Sequence, residues 1–154
     1  MWLPAGNVLN SGTGFLNPVE ETTLTIPSTA TKVITVGAYD ARFDQAAAFS
    51  GRGYTRATNQ VKPDLVAPGV EIMSCAPGGG YQVRTGTSMA TPFVTGSAAL
   101  LMQWGIVNGN DAYLYGEKMK AYLIRGARKL PGFTAYPNPV LGWGALCTAN
   151  SIPR

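Results

Sequence analysis

Thr85-Gly86-Thr87-Ser88-Met89-Ala90-Thr91-Pro92 is the stretch whose reading decides the fold. It opens the longest apolar run of the chain, Met89 to Val107, which is interrupted only by small residues, Pro92 and Gln103. A run of that length rich in small residues predicts a buried helix that packs closely on its neighbours. Pro92 falls about one turn into it, where a missing N–H costs little because early donors have no intrahelical partner. Ser88 is then at or beside the N-cap, and two readings follow. In one it is an ordinary cap, a position that serine favours. In the other its hydroxyl is a nucleophile placed where the helix dipole and free N–H groups favour developing negative charge. The Ser88 N–H would then be one oxyanion donor, and Gly86 would let the backbone approach a substrate closely. Spacing alone favours the cap.

Upstream, Tyr81 to Thr85 and Glu71 to Ala76 flank Pro77-Gly78-Gly79-Gly80 and read as a β-hairpin. Before it, Asp64-Leu65-Val66-Ala67 reads as a buried strand ended by Pro68-Gly69. Residues 40–60 read as a loop around Phe49-Ser50-Gly51. Lys32 to Tyr39, with Val33-Ile34-Thr35-Val36, reads as a second buried strand closed by Gly37. Thr22 to Ile26 alternates weakly, and residues 1–18 are turn-rich. Downstream, Gly105 and Asn108-Gly109-Asn110 are read as stopping the long helix. A second helix is predicted over roughly Gly116 to Arg128, with Met119, Tyr122, Leu123, Ile124 and Ala127 on one face. Strands, a hairpin and two helices make this an α/β chain.

Composition narrows the function classes. With 154 residues, 13% charged residues, 19 glycines and 11 prolines, the chain is long enough for a real core and unlike a disordered segment. The net charge of +4 comes from scattered Lys and Arg, and no recognition motif accompanies it, so nucleic acid is not an expected partner. The Met89–Val107 run is nearly long enough to cross a bilayer. Thr91, Pro92, Thr95, Gly96, Ser97 and Gln103 lie within it, and a membrane span is not expected. Cys75 and Cys147 have no metal-ligand spacing, and the chain contains no histidine to join them. No metal site and no cofactor are expected in this chain, where Asp64 as a single carboxylate is no calcium site; calcium in a larger parent protein is left open. Residues 1–6 lack a basic region followed by an apolar stretch and so do not read as a signal peptide.

Other serine and glycine motifs fail. Ala90 stands where G-x-S-x-G needs its second glycine, and Thr91 stands where S-x-x-K needs lysine. Gly78-Gly79-Gly80 is followed by no G-K-[ST], so a phosphate loop is not supported.

Gly86-Thr87-Ser88-Met89-Ala90-Thr91-Pro92 resembles the G-T-S-M-A-x-P signature around the nucleophile of the subtilisin-like serine proteases. Val33-Ile34-Thr35-Val36-Gly37-Ala38, Phe49-Ser50, Lys62-Pro63-Asp64-Leu65-Val66-Ala67-Pro68-Gly69 and Gly142-Trp143-Gly144 resemble further family motifs, in family order, over roughly residues 22–148. Tyr113 to Lys118, Lys120 to Arg128 and Tyr136-Pro137-Asn138-Pro139 look most like the clostridial spore-germination subtilases of the Csp type. The resemblance implies the C-terminal part of the subtilisin-like α/β fold: parallel strands, a hairpin, a buried nucleophile helix and a C-terminal helix. It implies residues 19–154 as catalytic-domain sequence and residues 1–18 as the tail of a jelly-roll insert.

The resemblance also implies roles. Ser88 is the catalytic nucleophile, with Gly86 and Thr87 at the oxyanion and substrate-binding site. The family's triad runs Asp, His, Ser, so the first two members are expected upstream of Met1. Phe93 stands where the family usually has a structural histidine. Ala5-Gly6-Asn7 mimics the family's oxyanion asparagine, but Leu3-Pro4 replaces the small strand residues that should precede it, and Asn7 reads as a turn residue. The implied partners are a protein or peptide substrate and the missing N-terminal part of the protease domain. The implied setting is bacterial, spore-associated or secreted. With no histidine the chain alone is expected to be inactive. A pseudoprotease or regulatory binding module of the same fold is the alternative.

Overall fold

The computed structural model describes Leu3 and residues 8–153. Its centre is a three-stranded sheet in the order β2-β1-β3, where β1 is Val36–Asp40, β2 Gln45–Ala46 and β3 Leu65–Pro68. β1 and β3 are parallel, with Val36 opposite Leu65 and Ala38 opposite Ala67; β2 folds back antiparallel on β1. Both parallel strands are short apolar runs because both faces of the sheet are covered.

The faces divide by the two-residue period of a strand. Ala38, Leu65 and Ala67 point to one side and pack with Ala90, Val94 and Leu101 of α1 (Thr87–Met102), and with Met119 and Leu123 of α2 (Gly116–Arg125). Tyr39 and Val66 point to the other side and pack with Leu130, Leu141 and Ala145. Ala145 continues the sheet beside Val66 through a parallel bridge. The hairpin forms where expected, as β4 (Ile72–Cys75) and β5 (Tyr81–Arg84). A short α3, Thr148–Ser151, follows, which the sequence reading lacked.

Several boundaries moved for physical reasons. β1 begins at Val36 and passes through Gly37 rather than ending there. A Cβ on Gly37 would lie 2.8 Å from Ser50 Oγ and 3.0 Å from Val66 Cγ1, so this glycine admits close packing and is not a strand stop. The segment Thr22 to Ile26 forms no strand. α1 starts two residues before Met89, and after Met102 the chain widens into a π-helical turn, Gln103–Val107, instead of stopping at Gly105. α2 ends at Arg125 rather than Arg128, and Arg128 pairs with Ala145 as a bridge.

α1, expected to be buried, is covered along a single stripe of Ala90, Val94, Ser97 and Leu101. Phe93, Leu100 and Met102 on its other side are exposed. Thr87–Val107 is long and apolar enough to cross a membrane by composition, yet its covered stripe packs on β1 and β3. An apolar helix with one face on a sheet and the other uncovered is half of a sandwich.

Candidate active site

Ser88 is the second residue of α1, and the cap is Gly86, which makes no side-chain capping bond. The ordinary N-cap reading is thereby excluded. Among the described residues the Ser88 hydroxyl has no hydrogen-bond partner, and the residue is exposed. Its amide belongs to the first helical turn, whose N–H groups have no partners within the helix. No acidic residue lies in that turn to neutralise its positive field.

Pro92 acquires a different meaning from this start. It is the sixth helical residue, beyond the four whose donors go unused, so the Ser88 carbonyl receives no i+4 bond. Both main-chain groups of Ser88 are thus outside the helical ladder. Thr91 Oγ1 donates to the Thr87 carbonyl at 3.0 Å, one turn back along the helix, which leaves the Ser88 carbonyl untouched.

The turn before Ser88 hangs from the end of β3. Gly69 N donates to Tyr39 O at 3.0 Å, Gly86 N donates to Gly69 O at 2.8 Å, and Met89 N donates to Gly86 O at 3.0 Å. Thr85 Oγ1 accepts from Glu71 N at 2.9 Å. Gly69 has to be glycine: a Cβ there would lie 2.6 Å from the Ala38 Cβ and 3.0 Å from Gly86 O. The turn that bears Ser88 therefore takes its position from the parallel strand pair.

Besides an open one along α1 itself, lined by Ser88, Thr91, Pro92 and Thr95, two cavities flank this turn. One, of about 440 Å³, is lined by Thr87 together with Leu24, Thr25, Thr35, Phe49 and Ser50. Its wall is pinned by Ser50 Oγ, which accepts from Ala38 N at 3.0 Å, and by an Arg52–Glu20 ion pair. The other, of about 320 Å³, is apolar and is lined by Ile72, Met73, Ser88, Met89, Pro92 and Phe93. Ser88 stands on the ridge beside Thr87, with Gly86 just behind.

The structure brings Gly86, Thr87 and Ser88 together at one helix end. Asn7 lies outside the described residues. Cys75 and Cys147 are free thiols, and no His/Cys/Asp/Glu cluster able to hold a metal occurs among the described residues. Sequence reasoning missed the attachment of this turn through Gly69. The signal was present in Pro68-Gly69, which was read only as a strand end.

Comparison with known proteins gives the family and the fold. The model of the subtilase family matches residues 4–144. The serine protease AprX of Bacillus subtilis is 34% identical over 97% of the chain, which covers 36% of AprX. An intracellular serine protease of Paenibacillus polymyxa is 46% identical over 50% of the chain, which covers 21% of that protein. The structure of the CspB protease of Clostridium perfringens superposes with a TM-score of 0.88 at 48% identity, over 93% of this chain and 30% of CspB. The chain thus spans about a third or less of the length of these relatives. It has the subtilisin-like α/β fold, its likeness to a Csp-type protease is borne out, and it belongs to the subtilase family.

Proposed function

We propose that Ser88 is the nucleophile of a serine endopeptidase built from this chain and the remainder of a subtilase catalytic domain. The observation that carries the reading is the exposed, uncommitted Ser88 hydroxyl at the second position of α1, held by Gly86 and Gly69. Ser88 attacks the peptide carbonyl, a histidine outside this chain takes its proton, and an aspartate outside it orients that histidine. The Ser88 N–H, helped by the Thr87 hydroxyl, binds the oxyanion. A protein or peptide substrate lies extended, with one wall formed by the residues before Thr85.

The chain alone does not hydrolyse peptides at a useful rate, because it contains no histidine. Electrostatic catalysis without a base leaves only about 10³–10⁴ over water. The exposed side of α1, with Phe93, Leu100 and Met102, is the face that the rest of the domain covers. Likeness to the Csp type supports a role in spore germination.

Residues 1–18 are assigned to the tail of an insert, with Asn7 in a turn. The family match begins at residue 4 and runs through this segment, so Asn7→Ala in the assembled enzyme decides its role. Unchanged kcat keeps Asn7 as a turn residue; a fall of about 10²–10³ makes it an oxyanion donor.

Fluorophosphonate labelling tests the main reading. The chain alone stays unlabelled, the assembled domain labels at Ser88, and Ser88→Ala abolishes labelling and lowers kcat by about 10⁶. Stoichiometric labelling of the chain alone would show that a base is supplied from within it. Absence of labelling in the assembled domain would favour a binding module.

A further inference from the structure

Three hydroxyls of α1 donate backward to the carbonyl one turn earlier. Thr91 Oγ1 reaches Thr87 O at 3.0 Å, Thr95 Oγ1 reaches Thr91 O at 3.3 Å, and Ser97 Oγ reaches Phe93 O at 2.9 Å. Such bonds recur in helices and by themselves mark no function. They differ in what lies at the other end of the peptide that accepts them. The peptide after Phe93 carries the Val94 amide, which the helical ladder gives to the Ala90 carbonyl. The peptide after Thr91 leads into Pro92 and carries no N–H at all. The peptide after Thr87 carries the Ser88 amide, which belongs to the first turn and has no ladder acceptor. Of the three, only the Thr91 bond ends on a peptide whose N–H is free to donate outside the helix.

A trans peptide is planar, so its C=O and N–H point in opposite directions from one rigid plate. Holding the Thr87 carbonyl therefore holds the Ser88 amide. The peptides on either side are fixed by a single main-chain bond, from Met89 N to Gly86 O at 3.0 Å. That bond grips the Gly86–Thr87 peptide by its oxygen and the Ser88–Met89 peptide by its nitrogen. The Thr87–Ser88 peptide lies between them, and the side chain that holds it is Thr91. Accepting a hydrogen bond at the oxygen also polarises a peptide and strengthens its N–H as a donor.

We propose that Thr91 is a positioning residue for the reaction of Ser88. Its hydroxyl acts through the Thr87–Ser88 peptide, aiming and strengthening the amide that receives the oxyanion, and touches none of the reacting atoms. The inference rests on the reading of Ser88 as the nucleophile. A strengthening of about 10–30% in a donor worth about 10²–10³ in kcat corresponds to a factor of about 2–8.

Thr91→Val, which keeps the shape and loses the hydroxyl, tests this in the assembled catalytic domain beside Thr91→Ser, which keeps the hydroxyl. Thr91→Val lowers kcat by about 2–8-fold and changes KM by less than about twofold, while Thr91→Ser retains the parent kcat. A peptide boronate, which forms a tetrahedral anionic adduct with Ser88, binds Thr91→Val more weakly by the same factor. A product peptide, which forms no adduct, binds parent and variant equally. Equal kcat in Thr91→Val and the parent overturns the proposal. So does a loss shared by Thr91→Ser or by product-peptide binding, which marks packing of α1. Should Thr91→Val not assemble, Thr91→Ala replaces it and the ratio of boronate to product-peptide affinity decides; failure of both to assemble also overturns the proposal. Fluorophosphonate labelling of the parent separates this inference from the reading beneath it. Labelled Ser88 with an unchanged Thr91→Val kcat removes the inference alone, whereas unlabelled Ser88 removes the nucleophile and the inference with it.

Discussion

Gly86 donates its amide to the carbonyl oxygen of Gly69 at 2.8 Å, so the turn that bears Ser88 is suspended from the residue that follows β3. Gly69 in turn donates to Tyr39 in β1. The position of the hydroxyl is set by the pairing of two strands, not by the helix it begins.

Gly69→Ala tests that suspension. The added methyl would lie 2.6 Å from the Ala38 Cβ and 3.0 Å from Gly86 O, and neither neighbour is a flexible side-chain end. We expect a loss of about 1–3 kcal/mol in denaturant unfolding. In the assembled enzyme, Ser88 labelling slows although every catalytic group is present. Unchanged stability and labelling would show that the turn is positioned by other contacts.

Leu100 and Leu101 are neighbours on α1 with opposite fates, 52% and 0% exposed. Leu101→Ala should cost the chain about 2–5 kcal/mol by emptying a core position. Leu100→Glu should change the chain's own stability by less than about 0.5 kcal/mol, yet prevent association with the remainder of the domain. Urea melts of the chain and restoration of activity on mixing measure the two effects. Restored activity with Leu100→Glu would show that this side of α1 stays uncovered.

The buried pair of Lys62 and Asp64 predicts unequal losses. Asp64→Asn leaves two ammonium groups without a counter-charge and should cost about 3–5 kcal/mol. Lys62→Met leaves Asp64 still bonded to Lys120 and to Thr35 N, and should cost less. Urea unfolding of both variants gives the order, and the reverse order would make Lys62 the chief partner of Asp64.

Asp111 predicts the pH limits. The Lys118 ammonium, 2.6 Å away, followed by the Tyr122 hydroxyl, holds its carboxyl below the usual carboxylate range, and Asp111 in turn raises Lys118. A depressed carboxylate stabilises the fold above its unfolded value of about 3.9, and that contribution disappears as pH falls through the folded value. A raised lysine stabilises below its unfolded value of about 10.4, and that contribution disappears as pH rises through the folded value. The melting difference between the parent chain and Asp111→Asn should therefore be constant from about pH 5 to 9 and shrink beyond both ends. A difference independent of pH would show that Asp111 acts through packing alone.

The element types were legible from local chemistry. Branched residues between turn signals marked β1 and β3, glycines between extended runs marked the hairpin, and small apolar residues after Ser88 marked α1. The motif at Gly86–Pro92 was enough to identify the family, because a serine at a helix start flanked by that pattern has few other readings. What the sequence could not decide lies in pairings across distance. Whether Gly37 ends a strand depends on the approach of Ser50, and whether Ser88 caps the helix depends on where Gly69 holds Gly86. Lys120 of α2 bonds the carbonyls of Thr31 and Val33, 89 and 87 residues away, a pairing on which helical periodicity is silent. By itself the sequence determined which residues could form strands, helices and a nucleophile turn, because propensity and patterning act over a few neighbours. Only the tertiary structure decided how those parts constrain one another, because hydrogen bonds and buried charges are satisfied in space and not along the chain.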